Sequence, residues 1–332
     1  MKLYDVAVVG ATGLVGRKII QVLEERNFPV GSLRLYASPK SHGKEMLFQN
    51  RLVKIEELSA KEFHSHELVF FSAGATISKE YAPLAAKAGA TVIDNSSAFR
   101  MEKNIPLVVP EVNPLALLHH NNIIANPNCS TIQMVVALKP LHDKYKIKRI
   151  VVTTFQSVAG AGQKGIDQLD DELQNLSVRF HKFPHRIAHN VIPQVDDFMY
   201  DGYTKEEHKM INETRKIMNE PLMHISVTCT RVPVYLGHSE SVNVEFSKKV
   251  DVDAARELLR KQHGVIVVDE VEDKYYPIAT MCHDRDEVFV GRIRKDTTVK
   301  NGLNMWIVAD NVRKGAATNA VQIAEELIKQ RA

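Results

Sequence analysis

The sequence predicts an α/β protein of two domains, in which a doubly wound domain with a parallel sheet precedes an α+β domain with a mixed sheet. The length of 332 residues suits two domains. Before Pro127, apolar runs of strand length alternate with helical stretches, as in a parallel sheet with crossover helices. After Pro127, several strand candidates alternate apolar and polar residues, which indicates a sheet with one solvated or helix-covered face.

Hydrophobic patterning defines the elements of the first domain. Continuous apolar runs indicate buried strands, and apolar residues three or four apart indicate helices. In chain order we expect a strand at Leu3–Val9, a helix at Leu14–Arg26, strands at Ser32–Ala37 and Leu68–Ser72, a helix at Ser78–Ala88 and a strand at Thr91–Asp94. Residues 1 to about 128 are therefore predicted to form one α/β unit.

In the second domain, strand candidates are interleaved with helices. The strands are expected at Ile150–Gln156, Ile225–Pro233, Ser241–Phe246, Val265–Val268, Val288–Ile293 and Leu303–Ala309. Thr204 and Glu207 have the spacing of a capping box and predict the start of a helix. The polar face of that helix carries Glu206 and Lys209. A last helix, Gly315–Lys329, could pack on either domain.

Composition argues against several classes of protein. Lys and Arg total 43 against 40 Asp and Glu, a net charge of +3 without a basic stripe, so neither nucleic acid nor a membrane surface is an expected partner. The three cysteines are far apart and odd in number, which favours a reducing, cytoplasmic compartment over a disulfide framework. Val112–Leu138, the longest stretch without Asp, Glu, Lys or Arg, contains prolines, so no membrane span is expected.

The strongest local signal is GATGLVG, Gly10–Gly16, between the first strand and the first helix. Its glycines, at Gly10, Gly13 and Gly16, allow a tight turn and let a pyrophosphate approach backbone N–H groups at the positive end of a helix. No Gly-Lys-Ser/Thr follows, so the loop is not of the Walker type. The context of strand, loop and helix favours a Rossmann-type dinucleotide-binding domain over an ordinary tight turn.

The segment after the second strand indicates which dinucleotide binds. NAD-binding proteins usually place an Asp or Glu there for the ribose 2′-hydroxyl group. Here the sequence is ASPKSHGK, Ala37–Lys44, whose hydroxyl and ammonium groups suit a 2′-phosphate group. NADP is therefore favoured, and a solvated basic turn is the alternative.

Cys129 is the candidate nucleophile. It stands in NPNCST, Asn126–Thr131, directly before an apolar-rich helix candidate at Ile132–Leu141. A helix N-terminus lowers the pKa of a thiol and offers N–H groups to an oxyanion. The alternative is a small buried side chain, which is the interpretation we give to Cys229 and Cys282.

Arg231 and His238 stand on either side of a short turn in RVPVYLGHSE. An arginine there suits a carboxylate, while the histidine would reach the reacting centre. By spacing alone this assignment is weak, because a histidine after a glycine is often only a turn residue.

A metal site is not expected. The histidines His181, His185 and His189 recur every four residues, but Pro184 interrupts the helix that such spacing would need. In addition, no pair of cysteines supports a zinc site.

Six blocks of sequence carry a resemblance to a known family. They are GATGLVG at Gly10–Gly16, SSAFR at Ser96–Arg100, NPNCST at Asn126–Thr131, FQSVAGAG at Phe155–Gly162, RVPVYLGHSE at Arg231–Glu240 and DNVRKGAA at Asp310–Ala317. In this order, and over essentially the whole chain, they closely resemble the aspartate-semialdehyde dehydrogenases. The resemblance implies NADPH-dependent reduction of L-aspartyl 4-phosphate to L-aspartate 4-semialdehyde through a cysteine thioester, in the biosynthesis of lysine and diaminopimelate, threonine and methionine.

The resemblance also implies roles for residues at matching positions. The catalytic residues would be Cys129 as nucleophile, His238 as general acid/base and Gln156, which positions the substrate. The substrate-binding residues would be Arg231 for the α-carboxylate, Glu206 for the ammonium group, and Arg100 with Lys209 for the phosphate group. Taken alone, the helix pattern would make Glu206 and Lys209 a solvated surface pair.

Cofactor contacts, domain bounds and assembly are implied in the same way. The cofactor residues would be Gly10, Thr12, Gly13, Leu14 and Val15 at the pyrophosphate, Ser38 and Ser41 at the 2′-phosphate, Ala159 and Gly160 near the nicotinamide, and Asn311. The family returns its last helix to the first domain, so an NADP-binding domain is expected at 1–128 plus 312–332, and a catalytic and dimerisation domain at 129–311. A homodimer is implied.

Two alternatives remain at this point. N-acetyl-glutamyl-phosphate reductase uses the same thioester chemistry on a longer, acylated substrate, but it needs no acidic residue for a free ammonium group. A catalytically silent NADP-binding regulatory protein is expected to have lost at least one of Cys129, Gln156, Arg231 and His238, and the sequence retains them all.

Overall fold

The computed structural model describes residues 2–59, 63 and 66–331. Met1 and Ala332, with which the predicted first domain begins and ends, lie outside the described residues. The chain divides into two compact units, one formed by Met1–Pro127 with Ala316–Ala332 and the other by Asn128–Gly315. Each unit contains one sheet and its own helices.

The elements alternate along the chain. The strands are β1 (Tyr4–Val9), β2 (Val30–Ala37), β3 (Glu45–Phe48), β4 (Arg51–Glu57), β5 (Leu68–Phe71), β6 (Thr91–Asp94), β7 (Ile123–Ala125), β8 (Ile147–Gln156), β9 (His224–Arg231), β10 (His238–Phe246), β11 (Val265–Val267), β12 (Val288–Asp296) and β13 (Gly302–Ala309). The helices are α1 (Leu14–Glu25), α2 (Ala75–Lys87), α3 (Cys129–Tyr145), α4 (Gln163–Leu173), α5 (Lys205–Met218), α6 (Val252–Lys261) and α7 (Thr318–Arg331). Within the described part of the chain, no helix combines the length and the apolar character that a membrane crossing needs.

The first unit is built on a seven-stranded sheet in the order β3-β4-β2-β1-β5-β6-β7. Every neighbouring pair is parallel except β3 with β4, which form an antiparallel hairpin at one edge. Successive residues of β1 point to opposite faces. Val6 and Val8 pack with α1 and α7, whereas Ala7 and Val9 pack with α2. Both faces of the sheet are therefore covered, as parallel sheets require.

The second unit is built on a six-stranded mixed sheet in the order β11-β12-β13-β10-β8-β9. The outer pairs β11 with β12 and β8 with β9 are parallel, and the inner pairs are antiparallel. The buried helix α3 contacts β8, β10, β12 and β13. The opposite face leaves Thr153, Phe155 and Trp306 partly exposed, with the two aromatic rings 5.3 Å apart.

The predicted fold class is confirmed, with three corrections. The first sheet is not wholly parallel, because it includes the mostly exposed hairpin of β3 and β4, which was not predicted; its apolar run, Met46–Phe48, is short. The last helix begins at Thr318 rather than Gly315, since Arg313–Ala317 forms a π-helical turn. The strand expected to reach Pro233 ends two residues earlier, at Arg231, and Pro233 has no N–H to donate to a continued ladder.

The helix that carries Cys129 is longer than predicted, whereas the start of α5 is as expected. α3 begins at Cys129 and continues through Pro140 to Tyr145. At α5, the Thr204 side chain accepts from the backbone of Glu207, and the Glu207 side chain accepts from the backbone of Thr204, so the capping box is confirmed.

Helix α1 packs closely on the turn before it at Gly16. A Cβ atom at Gly16 would lie 2.1 Å from the Gly10 carbonyl oxygen, whereas a Cβ atom at Gly13 would lie 3.3 Å from it. We expect Gly16→Ala to lower the free energy of unfolding by roughly 1–3 kcal/mol through overpacking, and Gly13→Ala to lower it far less. Denaturant unfolding followed by circular dichroism measures both; equal midpoints for the two variants would contradict this packing.

Candidate active site

The glycine-rich turn of the first unit leaves the start of α1 without a side-chain cap. Gly10 has φ +85°, and a Cβ atom there would lie 2.8 Å from the Ser72 carbonyl carbon, so only glycine fits. Gly13 is the N-cap residue and makes no side-chain hydrogen bond, and the first turn of α1 contains no acidic residue. The positive end of α1, with Thr12, Leu14 and Val15 beside it, can therefore receive an anion.

The end of β2 presents hydroxyl and ammonium groups to solvent. A 3₁₀ turn at Pro39–Ser41 follows the strand, with Ser38 as its N-cap residue. Ser38 and Lys40 are exposed and Ser41 is partly exposed. Ala37–Lys44 contains no carboxylate. This end of β2 would therefore attract a phosphate group rather than repel it.

Arg100 belongs to the first unit and is held by main-chain oxygens. Its Nε donates to the Asn126 carbonyl oxygen at 2.9 Å, and its Nη2 donates to the Asn95 carbonyl oxygen at 3.0 Å. The turn before it is anchored by Asp94, whose carboxylate accepts from the Ser96 backbone N–H at 3.0 Å and from the Ser96 hydroxyl at 2.7 Å. The orientation of Arg100 therefore follows from the SSAFR turn.

In the second unit, Cys129 is the first residue of α3 and is partly exposed. Asn128 is the N-cap residue, and its Oδ1 accepts from the backbone N–H groups of Ser130 at 3.0 Å and Thr131 at 3.3 Å. The thiol thus stands at the positive end of the helix dipole, which favours the thiolate form.

The other two cysteines are buried, as the sequence predicts. Burial raises the pKa of Cys282 to about 12 and raises the pKa of Cys229 well above its ordinary value. Neither thiol is suited to act as a nucleophile near neutral pH.

Glu206 and Lys209 do not form a solvated surface pair. Glu206 is only 6% exposed. Its Oε1 accepts from Asn128 Nδ2 at 2.8 Å, and its Oε2 accepts from Lys209 Nζ at 3.2 Å. Lys209 also donates to Asp196 at 2.7 Å. Burial alone would raise the pKa of Glu206, but Lys209, the hydrogen bond from Asn128 and Arg231 together bring it below its ordinary value.

Gln156, at the end of β8, links α3 to α5 beside Cys129. Its Nε2 donates to the Ser130 hydroxyl oxygen at 3.1 Å and to Glu206 Oε1 at 3.3 Å. The side chain is 1% exposed, so its orientation is set by these two hydrogen bonds.

Arg231, the last residue of β9, is a buried cation. Its Nη1 donates to the Ser157 carbonyl oxygen at 2.7 Å, and its guanidinium carbon lies 5.8 Å from the centre of the Phe183 ring. Burial lowers the pKa of Arg231, and the charges of Glu206 and Cys129 act in the opposite direction. Arg231 is therefore within electrostatic range of both groups.

His238, the first residue of β10, is a neutral hydrogen-bond donor. Burial and the neighbouring Arg231 lower its pKa to about 3. Its Nδ1 lies 3.1 Å from the Ser157 backbone nitrogen, whose N–H can only donate, so the neutral ring carries its proton on Nε2. Nε2 has no hydrogen-bond partner among the described residues, and this N–H can therefore serve a bound molecule.

Gly160 lies against the side chains of Arg231 and His238. A Cβ atom at Gly160 would lie 2.8 Å from Arg231 Nη1 and 3.2 Å from His238 Nε2. Gly160 itself is exposed, whereas Ala159 is 4% exposed. A side chain at Gly160 would therefore collide with the Arg231 and His238 side chains.

Ser157, which no sequence pattern singles out, orders this corner of the site. Its hydroxyl donates to Asn311 Oδ1 at 3.0 Å, its backbone N–H donates to His238, and its carbonyl oxygen accepts from Arg231. Asn311 Oδ1 also accepts from the Gly237 backbone N–H at 2.9 Å. The position of Ser157 directly after Gln156 was the only available signal.

The second unit thus brings together six of the seven residues predicted for catalysis and substrate binding. They are Cys129, Gln156, Glu206, Lys209, Arg231 and His238. Arg100 is a residue of the first unit. Asn128 was also missed, although an Asn directly before a predicted helix is a recognised N-cap signal.

β10 also carries a buried carboxyl group. Glu240 is 0% exposed, and neither of its carboxylate oxygens has a partner in hydrogen-bonding geometry among the described residues. Burial raises the pKa of Glu240 well above its ordinary value, and the nearby Gln133 side chain opposes this only in part. Gln133 Nε2 donates to the His238 carbonyl oxygen at 3.3 Å. Burial therefore favours the protonated form of Glu240 up to a higher pH than for an exposed glutamate.

Glu240 makes the stability depend on pH in a defined direction. A folded-state pKa above the unfolded-state value gives a contribution that is complete below about pH 4 and declines as the pH rises towards the folded-state pKa. Glu240→Gln removes this decline, so at pH 8 the variant should exceed wild type in free energy of unfolding by on the order of 1 kcal/mol or more. Denaturant titrations at pH 4 and pH 8 measure the difference.

The matched control for that experiment is Glu245→Gln in the same strand. Glu245 is partly exposed and pairs with an exposed lysine, Lys148. Its replacement should change the free energy of unfolding little at either pH. A gain for Glu240→Gln that is equal at both pH values would show that ionisation of Glu240 is not its cause.

Two family profiles match this chain. The profile described as "Semialdehyde dehydrogenase, NAD binding domain" matches residues 5–120. The profile described as "Semialdehyde dehydrogenase, dimerisation domain" matches residues 138–314.

Individual proteins with the same description are similar over the full length. An aspartate-semialdehyde dehydrogenase from Aquifex aeolicus is 54% identical over 335 residues, covering 98% of each chain. The crystal structure of aspartate semialdehyde dehydrogenase II complexed with ASA from Vibrio cholerae matches with a TM-score of 0.96, 47% identity and 99% coverage of each chain. The corresponding structure with NADP from Candida albicans matches with a TM-score of 0.78, 25% identity and 99% coverage of each chain. The predicted resemblance is thus confirmed, and this chain belongs to the aspartate-semialdehyde dehydrogenase family of oxidoreductases in amino-acid biosynthesis.

Proposed function

We propose that this protein catalyses the NADPH-dependent reductive dephosphorylation of L-aspartyl 4-phosphate to L-aspartate 4-semialdehyde through a thioester on Cys129. The observation that carries the proposal is the position of Cys129 at the start of α3, in one network with a buried carboxylate, a buried guanidinium and a neutral histidine. In this proposal the first unit binds NADP, and the second carries catalysis and dimerisation.

Cys129 is the nucleophile of the first step. Its sulfur attacks the acyl carbon of the substrate, so that a C–S bond forms, the C–O bond to the phosphate group breaks and inorganic phosphate leaves. The positive end of α3 favours the thiolate before the attack and the oxyanion during it. The chemistry contributed by NADPH is hydride donation to the thioester carbonyl, after which the thiolate of Cys129 is the leaving group.

The substrate carries charges of both signs, and the site offers matching partners. Arg231 can bind the α-carboxylate in a bidentate manner, because a planar guanidinium fits a carboxylate. Glu206 accepts the ammonium group. Lys209 and Arg100 bind the phosphate group. Glu206 and Lys209 stand three residues apart on α5, so one helix supplies opposite charges at a short separation.

His238 and Gln156 act on the reacting carbonyl group. The Nε2–H of neutral His238 is a hydrogen-bond donor that stabilises negative charge on the carbonyl oxygen. Gln156, fixed between Ser130 and Glu206, holds the substrate beside Cys129.

NADP fits the first unit. The uncapped start of α1 and the left-handed Gly10 supply backbone N–H groups and space for a pyrophosphate. Ser38, Lys40 and Ser41 supply hydroxyl and ammonium groups for the 2′-phosphate. Ala159, Gly160 and Asn311 of the second unit are proposed to contact the nicotinamide portion. The NADP bound to the Candida albicans relative supports the same choice.

We also propose a homodimer that forms through the open face of the mixed sheet. Thr153, Phe155 and Trp306 lie partly exposed on that face, and covering an apolar face is favourable. The match to a dimerisation-domain profile over residues 138–314 supports this assembly. The odd number of cysteines and their wide separation in the sequence fit a reducing, cytoplasmic compartment.

The reaction is tested in reverse. NADP⁺ reduction with aspartate semialdehyde should require added inorganic phosphate, because phosphate must cleave the thioester. Cys129→Ala should lower the rate by roughly 10³-fold or more, since the covalent route is lost. Absorbance of NADPH measures both effects, and Cys282→Ala is the control for loss of a buried thiol. Phosphate-independent reduction, or full activity in Cys129→Ala, would rule out the proposed function.

Cofactor choice is tested with charge reversal at the end of β2. Wild type should prefer NADP⁺ to NAD⁺, and Lys40→Glu should lower kcat/KM for NADP⁺ by about tenfold, which corresponds to ~1.4 kcal/mol of lost attraction. The value for NAD⁺ should change little. Lys54→Glu makes the same charge change in β4 and should leave both values unaltered. A wild-type preference for NAD⁺ would refute the assignment of Ser38 and Lys40.

A further inference from the structure

Asn128 is held by more partners than a helix N-cap needs. Its Oδ1 already accepts from the first turn of α3. In addition, its backbone N–H donates to Glu213 Oε2 at 2.6 Å, and its Nδ2 donates to Glu206 Oε1 at 2.8 Å. Both carboxylates belong to α5, so one helix fixes the residue that precedes Cys129 in another.

We propose that Glu213 is a positioning residue for the nucleophile, which it orients by holding the Asn128 N–H, and this rests on the proposed role of Cys129. Glu213 differs from Glu206 in one respect: the proposed function assigns the substrate ammonium group to Glu206 and no substrate group to Glu213. Its effect on the reaction would pass through the backbone from which the Cys129 side chain extends.

The burial of Glu213 supports this role. The side chain is 1% exposed, and a buried carboxylate is costly unless strong hydrogen bonds compensate. Capping α3 does not require it, because the Asn128 side chain performs that task. The hydrogen bond from Asn128 instead fixes a backbone N–H that lies before the helix. This hydrogen bond compensates part of the cost of burying Glu213 and holds the backbone before Cys129 in place.

A second contact limits Cys129 from another direction. A Cβ atom at Gly315 would lie 2.8 Å from Cys129 Cβ and 3.3 Å from Cys129 Cα. The backbone of Gly315 thus packs directly against the cysteine. With Glu213 holding the preceding residue and Gly315 packed against Cys129 itself, the sulfur starts from a fixed backbone position.

The experiment compares Glu213→Ala with Glu213→Gln. Both variants lack the charge, but only the glutamine retains an oxygen that can accept from the Asn128 N–H. In Glu213→Ala we expect kcat to fall by roughly 10²-fold, the effect of a small misplacement of reacting groups, with KM for aspartate semialdehyde little changed. Glu213→Gln should recover most of kcat. Glu213→Asp, which keeps the charge but withdraws the oxygen, should lie between them.

Alkylation of Cys129 by iodoacetamide at pH 7 gives a readout that needs neither substrate nor cofactor. Glu213→Ala should react about tenfold more slowly than Glu213→Gln, as for one unit of thiol pKa. The control is Glu207→Ala, which removes another buried carboxylate of α5, one that accepts from the Cys229 backbone N–H rather than from Asn128. It should lower the melting temperature but leave the alkylation rate unchanged.

The outcomes separate this inference from the proposed function. Equal alkylation rates in Glu213→Ala and Glu213→Gln, or an equal loss in Glu207→Ala, would overturn the positioning role. If Glu213→Ala does not fold, the comparison of Glu213→Asp with Glu213→Gln decides in the same way. Absence of phosphate-dependent activity in wild type would instead refute the proposed function, while the alkylation rates would still report on Glu213.

Discussion

Glu206 and Arg231 carry opposite charges that the second unit removes almost completely from water, at 6% exposure for each. Burying charge is strongly unfavourable unless each ion gains partners, so the surroundings of both are constrained. Lys209 and Asn128 donate hydrogen bonds to the Glu206 carboxylate and so offset the cost of burying its charge. The Ser157 carbonyl oxygen accepts a hydrogen bond from the Arg231 guanidinium and so offsets part of the cost of burying it. Because these partners are needed for stability, the site is ordered before a substrate binds, and little reorganisation is left for the reaction.

The same constraint determines what His238 can do. A buried imidazole next to a buried guanidinium cannot readily accept a second proton, which is why its pKa falls to about 3. The Ser157 N–H occupies Nδ1, so the Nε2–H is the hydrogen-bond donor that the ring can offer to a bound molecule. Arg231 therefore helps to keep the neighbouring histidine neutral, in addition to the carboxylate-binding role that we propose for it.

The parts of the fold that the sequence predicts are those with local causes. The glycine spacing predicts the turn at Gly10, and apolar periodicity predicts β1, α1 and most strands of the second unit. The hairpin of β3 and β4 has no such period and was missed. Around Cys129, the hydrogen bond from Asn128 to Glu213 joins residues 85 apart in the chain. No local pattern can reveal such a pair, because it exists only after α3 and α5 have packed.

Glu206 shows how a local pattern can also mislead. Alone, its spacing from Lys209 on a polar helix face indicates a solvated ion pair, whereas packing buries it. The resemblance to a family implied instead a place for Glu206 in the site, and its burial is compatible with that proposal.

The two units bind charge by different physical means, and this explains why one is easier to predict from sequence. The first unit offers a helix dipole and backbone N–H groups, which have no pKa and no rotamers and need only glycines at fixed spacing. Such a device suits a dinucleotide, whose pyrophosphate is always anionic. A substrate with an ammonium, a carboxylate and a phosphate group needs donors and acceptors of both signs at separate points. Only side chains from several elements can supply these, so β8, β9, β10, α3 and α5 each contribute a part. A site of this kind depends on long-range packing, and its supporting residues, such as Ser157 and Glu213, become recognisable only in the folded chain.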